Sequence, residues 1–517
     1  MKPISILNDV LGPVMRGPSS SHTAGPFYIS ALARALLGEE PASVIFAFDP
    51  DGSFAEVYRQ QGSDLGFAAG IMGWSITDER FAEALDLAAE QGIQMAFAIE
   101  QLPQADHPNT VEIRMTSRGG RQLRAVAQSI GGGAVVFTQV EGWPVRLTSD
   151  AHEVLVLLEE NVESAVCELV TQDGQTIGQS ARQVRSDQVL LHIRRWSPLE
   201  ASIQAKVETL PGVHRIWTVP PLLFVLRGEP LFSSAAEMVA LAEKRGCSLG
   251  QIALAYESAL LRLSEGEVLG EMVRRFEVMQ AAVHHGLEEN LPPMQLLRPS
   301  ARQVYQAEAE GRVAIGGIHT RAAARAMAVM HINGGMGVVC AAPTAGSAGV
   351  IPGVLVTLVE EKDLSREQAA LALLAASAVG LIVAMRATFA AEVAGCQVEI
   401  AASGAMAAAA VVEAAGGSAR QAADAAAISF QNTMGSICDP VQGIVEIPCH
   451  TRNAVASSAA FVCADLILGG YVNPIPLDET VDAVYAVGRM LPRELKCTAL
   501  GGLSQTPSAL AMPRLKR

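Results

Sequence analysis

Three cysteines, Cys396, Cys438 and Cys449, offer the most specific chemistry in this sequence. Each has unusual neighbours: Gly395 before the first, Asp439-Pro440 after the second, Pro448 and His450 around the third. Thiolates are soft ligands that select zinc, copper(I) or iron–sulfur clusters. The separations far exceed the short C-x-x-C of a zinc finger. A metal here would therefore need ligands that converge from different elements. Three thiolates suit a metal that keeps one position open for a substrate. The competing reading is packing, because free cysteine is a small hydrophobe and often buried.

A second stretch, GPSSSHTAGP from Gly17 to Pro26, sets Ser19, Ser20, Ser21, His22 and Thr23 between Gly-Pro breakers. At a helix N-terminus such a run presents hydroxyls and backbone N–H groups to an anion. It serves equally as a Ser/Thr cap on a helix starting near Ala24. A third piece, SIGGG (129–133), is either a close backbone approach to a ligand or a tight turn between strands.

These residues must be positioned by a large chain. Its 517 residues imply two to four domains, and a 50% apolar content supplies sizeable cores. Few aromatics and many Ala and Gly favour close-packed helices. A net charge of −15 argues against a general nucleic-acid surface. The start lacks a basic region followed by an apolar run, so no secretory signal is expected. Eight cysteines without short pairings do not make a disulfide scaffold, and a reducing cytoplasm is the expected location. The most membrane-like run, Ala369–Met385, is short and Ala-rich, and reads as a buried core helix.

Along the chain, residues 1–147 mix strands (43–50, 110–117, 122–129, 134–140) with helices near 24–37, 64–73 and 78–91. Residues 151–220 read strand, helix, strand, strand, helix, strand, a ferredoxin-like order. PPLLFVLRGEP (220–230) is a connector. From 232 to 517 strand signals nearly vanish and an all-α domain is expected. Capping-box patterns at Ser234, Ser248, Ser365 and Ser418 open its apolar runs. The expected class is therefore multidomain α+β.

GCQVEIAASGAMAAAA, SICDPVQGIVEIPCHTRNA and APTAGSAGVIPG resemble the α domain of the iron–sulfur-dependent L-serine dehydratases. GPSSSHTAGP, HPNTVEI and SIGGG resemble the β domain of the same family. The 151–220 unit is similar in position to the ACT regulatory domain of some β chains. It lacks the Pro-Gly turn common in amino-acid-sensing versions, which favours a structural or dimerisation role. The resemblance covers nearly the whole chain.

The resemblance implies that Cys396, Cys438 and Cys449 hold a 4Fe–4S cluster. It implies a site between the domains, faced by Ser19, Ser20, Ser21, His22 and Thr23. Ser129, Gly131, Asp64, Thr344, Ser347 and Asn453 would contact the substrate. Cys497 lies in a family-like tail, LKCTALGGLSQTPS, outside the three-cysteine ligand set, and is a candidate substitute fourth ligand. One departure stands out: Gln61 occupies the place of a family histidine, and Gln cannot take a proton as imidazole does. His22 is then the candidate base.

The implied reaction is elimination of water from L-serine, giving aminoacrylate that hydrolyses to pyruvate and ammonia. A Lewis-acidic iron would stabilise the leaving hydroxide. Two alternatives stay open: a hydro-lyase for another β-hydroxy acid or amino acid, and a non-catalytic protein binding metal or amino acid. No nucleic-acid or membrane partner is expected, and a homodimer is the default assembly.

Overall fold

The computed structural model describes residues 3–148 and 150–515. They form two compact units, Ser21–Arg227 and the pairing of Met1–Ser20 with Gly228–Arg517. The division falls inside GPSSSHTAGP. Ser19 and Ser20 go with one unit, and Ser21, His22 and Thr23 with the other.

The Ser21–Arg227 unit contains two sheets. The larger has six strands in the order Gln94–Ile99, Pro41–Phe48, Thr110–Ser117, Gln122–Gly131, Ala134–Val140 and Trp143–Thr148. Only the first pair is parallel. Alternation explains Pro41–Phe48: Val44, Phe46 and Phe48 are buried while Ile45 is exposed. Helices Gly25–Leu37 and Ser63–Ile71 cover the buried face with Ile29, Leu32, Leu36, Phe67 and Ile71. Phe46 and Phe67 stack with ring centroids 4.1 Å apart.

The smaller sheet has strands His152–Glu159, Ala181–Arg185, Gln188–Arg195 and Val213–Val219, with helices Glu163–Thr171 and Ala201–Glu208 between them. The strands lie in the order fourth, first, third, second, and every neighbour is antiparallel. The expected β-α-β-β-α-β sequence is therefore observed. Val154, Val156 and Leu158 meet Val166, Val170 and Val207 on the helix side. Leu155 from the opposite face joins the core of the larger sheet, as period-2 alternation requires.

The other unit is helical apart from two three-residue strands. Val14–Arg16 pairs antiparallel with Val338–Cys340. That second strand is a local exception to the all-α expectation. Full capping boxes open the helices at Ser248, Ser365 and Ser418, and at Ser264, which the sequence pattern did not single out. At Ser234 the hydroxyl accepts from Glu237 N, while the Glu237 carboxylate turns to Ser233. The core is built by Arg366–Arg386 and Ile400–Ala414, whose small side chains let helices approach closely. The apolar stretches Arg366–Arg386 and Cys396–Ala414 are both mostly buried.

Buried Glu257 anchors the chain start to this unit. It accepts from Ser5 Oγ at 2.5 Å, Ile6 N at 2.8 Å and Leu7 N at 3.0 Å.

Candidate metal centre and serine–threonine loop

In the helical unit each cysteine is presented by a change of backbone direction. Gly395 has φ +76°, and a Cβ there would lie 2.7 Å from Ser436 O. Only glycine meets both demands without strain. It aims Cys396 inward, just before the helix Ile400–Ala414. Cys449 opens the helix Cys449–Leu468 directly after Pro448. Cys438 lies in the loop between helices and is tied by Cys438 N donating to Leu495 O at 2.9 Å.

All three are buried. The sulfurs of Cys396 and Cys438 and a carboxylate oxygen of Glu399 lie within 4.8 Å of one another. The Cys438 thiol donates toward Cys396 and so favours the Cys396 thiolate. Arg452 assists: it lies 3.8 Å from Cys396 Sγ, donates to Ile437 O at 2.9 Å and pairs with Asp439 at 2.9 Å. Burial pushes the Cys449 thiol up, and the nearby Cys396 and Cys497 add to the effect. Burial also holds the Glu399 carboxyl well above its usual range, and the Cys396 charge reinforces this. A favoured thiolate grouped with thiols that resist ionisation is a donor set suited to a cation, which would remove their repulsion and their remaining protons. The donors fit a thiolate-ligated metal.

Asn453 connects this centre to the APTAGSAG segment. Its Oδ1 accepts from Gly349 N at 3.1 Å, and its Nδ2 donates to Gly346 O at 2.9 Å and Cys449 O at 2.8 Å. Thr344 and Ser347 face each other, Oγ1 to Oγ, at 3.2 Å. Thr344 also bonds Glu399. Buried Glu446 accepts from the backbone N–H of Gln295, Leu296 and Leu297 at 2.8–2.9 Å, fixing the chain that precedes Cys449.

Also in this unit, the first part of the serine loop packs against the helix Ile318–Gly334. Asn333 Nδ2 donates to Pro18 O at 3.0 Å. A Cβ on Gly17 would lie 2.1 Å from Asn333 O, so the loop passes where only glycine fits. Ser20 is buried and Ser19 partly so.

The remaining loop residues form a polar group in the Ser21–Arg227 unit. His22 Nε2 lies 2.8 Å from Ser53 Oγ. Thr23 Oγ1 donates to Gln61 O at 2.7 Å, and Ser63 Oγ donates to His22 O at 2.5 Å. Ser129 Oγ donates to Ser21 O at 2.8 Å. Burial lowers the His22 pKa to about 4 and raises that of Asp64 to about 6. At neutral pH His22 is therefore an uncharged imidazole able to accept a proton. Gly131 ends its strand, and Gly132 and Gly133 make the turn into Ala134–Val140 at φ +60° and +87°. Within this unit SIGGG is thus a strand-to-strand turn.

Glu399 and Arg452 lie beside the cysteines but were not chosen from the sequence, whereas Cys497 entered there only as a substitute fourth ligand. Glu399 follows Cys396 by one helical turn's spacing and was legible on that ground. Cys497 Sγ lies 3.1 Å from Cys438 Sγ, a proximity no local pattern encodes.

Comparison with known proteins bears on this arrangement. Residues 244–504 match the family described as serine dehydratase alpha chain. The chain belongs to the serine dehydratase family. It is 37% identical over 278 residues to the probable L-serine dehydratase, alpha chain, of Bacillus subtilis (strain 168), covering 54% of this chain and 93% of that one. It is 44% identical over 195 residues to the probable L-serine dehydratase, alpha chain, of Latilactobacillus sakei, covering 38% and 93%. It also matches the probable L-serine dehydratase, beta chain, of Bacillus subtilis, 40% identical over 149 residues, covering 29% and 66%. This chain thus carries similarity to one protein named as an alpha chain and to another named as a beta chain.

Proposed function

We propose that this chain is an iron–sulfur L-serine dehydratase. It is a lyase that eliminates water from L-serine, and the aminoacrylate hydrolyses to pyruvate and ammonia. The observation that carries the reading is the convergence of Cys396, Cys438 and Glu399 beside Cys449 in a chain of this family. Cys396, Cys438 and Cys449 would hold a 4Fe–4S cluster. Bound there, the cluster would supply the Lewis acidity that lets hydroxide depart.

The chain's own residues do the rest. Arg452 keeps a positive charge beside the thiolate of Cys396. Thr344 and Ser347 offer hydroxyls next to Glu399. Asn453 holds the APTAGSAG segment against the start of the helix that carries Cys449. His22 takes the proton from the substrate α carbon, its neutral imidazole oriented by Ser53. Ser19, Ser20, Ser21, Thr23, Asp64, Ser129 and Gly131 form the surrounding carboxylate and ammonium contacts. Their support is the polar hydrogen-bonded grouping of the loop residues within each unit.

The smaller sheet is assigned as an ACT-like module with a structural or dimerisation role, supported by its strand order. The enzyme is a cytoplasmic homodimer in this reading; the free cysteines support the reducing location alone.

The test is pyruvate release from L-serine by protein purified without oxygen and shown to contain iron and sulfide. Turnover that disappears in air supports the reading. Cluster-loaded protein that releases no pyruvate from L-serine overturns it.

A further inference from the structure

We propose that Cys438 and Cys497 are a redox modification site, closing to a disulfide in the metal-free chain and thereby withholding Cys438 from the metal. The inference rests on the assignment of Cys438 as a metal ligand.

The geometry is built for the bond. The two sulfurs lie 3.1 Å apart. The backbones are joined side by side: Cys438 N donates to Leu495 O and Cys497 N donates to Cys438 O, each at 2.9 Å. The bridge pairs Cys438 with Lys496, the neighbour of Cys497, so the two segments run side by side about 4.8 Å apart. The sulfurs need to approach by only about 1 Å to reach bonding distance.

The segment carrying Cys497 is itself held in place. Asp439, next to Cys438, accepts from Leu503 N at 2.7 Å. Cys497 has φ +66°, a conformation that non-glycine residues keep only where the surroundings impose it.

Access is asymmetric. Cys497 is the exposed member of the eight cysteines, whereas Cys438 is 3% exposed. A small disulfide in solution therefore meets Cys497 first. The Cys497 thiolate attacks one of its sulfurs and expels one small thiol. Cys438 Sγ then attacks the Cys497 sulfur of the mixed disulfide and expels the second. Two protein thiols are oxidised, one small disulfide is reduced to two thiols, and both protons leave with them. The product lacks a free Cys438.

The experiment uses the full-length metal-free protein, cobalt(II) as the metal probe and oxidised glutathione as the oxidant. Thiolate-to-cobalt absorption reports binding, and peptide mass spectrometry reports the cross-link. The expected result is a Cys438–Cys497 cross-linked peptide after oxidation. Cobalt affinity should fall by at least about tenfold, the scale on which metal sites respond to lost support, and a dithiol should restore it. Cys497→Ser should bind cobalt equally before and after oxidation; Cys497→Ala is the second variant if the serine protein does not fold. Absence of the cross-link overturns the proposal, as does a cross-linked protein that binds cobalt unchanged. Reduced wild-type protein with no thiolate-to-cobalt band would instead overturn the metal-centre assignment on which the proposal stands.

Discussion

The Nδ1 atoms of His331 and His450 face each other at 3.2 Å inside the helical unit. His331 Nε2 accepts from Ser300 N at 3.0 Å and Ala301 N at 3.1 Å, so it carries no proton. A neutral His331 must then hold its proton on Nδ1 and donate it to His450 Nδ1. His450 is left with its proton on Nε2, a buried atom without a partner among the described residues. Burial lowers both pKa values, to about 4 and about 3, so both rings are neutral at pH 7. The expected NMR signature is an Nδ1–H tautomer for His331 and Nε2–H for His450. A protonated His331 Nε2 at neutral pH contradicts the chain of donors. His331→Leu removes the acceptor of two backbone N–H groups and should destabilise the protein by about 2–6 kcal/mol, at roughly 1–3 kcal/mol for each stranded polar group.

Acid sensitivity follows from His22 in the other unit. Its folded pKa is about 4, below the ordinary 6.5. Between those values the unfolded chain binds a proton that the folded chain does not. Stability from this group is therefore complete above the unfolded value and is lost as pH falls toward the folded one. The slope is at most about 1.4 kcal/mol per pH unit. Asp64 acts oppositely, because its folded pKa is raised to about 6 and the folded state keeps its proton longer. The test isolates the histidine. Urea denaturation of wild type and His22→Gln at pH 7 and pH 5 should show a smaller loss in the variant. Equal losses would falsify the assignment of His22 as a buried neutral imidazole.

Gly395 determines the placement of Cys396. Its φ of +76° and the 2.7 Å approach of Ser436 O leave no room for a Cβ. Gly395→Ala should destabilise the protein by about 1–3 kcal/mol through backbone strain. It should also reduce bound iron, since Cys396 moves with it. Denaturation midpoints and iron content per chain check the two effects, and full iron loading with unchanged stability would contradict both.

Much of the fold was legible because period and punctuation agreed. Thr110–Ser117 and Ala134–Val140 carry the expected bounds. The Ser248, Ser365 and Ser418 boxes follow from a serine three residues before a glutamine. Gln94–Ile99 escaped because it lies at the sheet edge with no residue fully buried, so it needs no strongly apolar face. Trp143–Thr148 contains Pro144, which weakens any strand reading, and it too lies at the edge. Val14–Arg16 and Val338–Cys340 are three residues each and exist only as a long-range pair. The cysteine cluster was legible in Cys396, Cys438 and Cys449, while the closeness of Cys497 to Cys438 was not. The Cys497 thiol arrives through a backbone bridge between Cys438 and Lys496, separated by a whole helix and more of chain.

His22 and Cys396 make separable contributions, and substitution can tell them apart. His22 bonds Ser53 and lies in the sheet-containing unit, so His22→Ala should leave bound iron unchanged. Losing a general base lowers turnover by about 10²–10⁴-fold. Ser53→Ala removes only the orienting partner, so its loss should be smaller and should appear in kcat more than in KM. Cys396→Ala should instead lose iron and activity together, because a ligand is gone. Iron content, sulfide content and pyruvate release on the three proteins give the comparison. A His22→Ala protein with near-normal kcat would remove His22 from the role of base and direct attention to Glu399, whose carboxyl lies beside the cysteines.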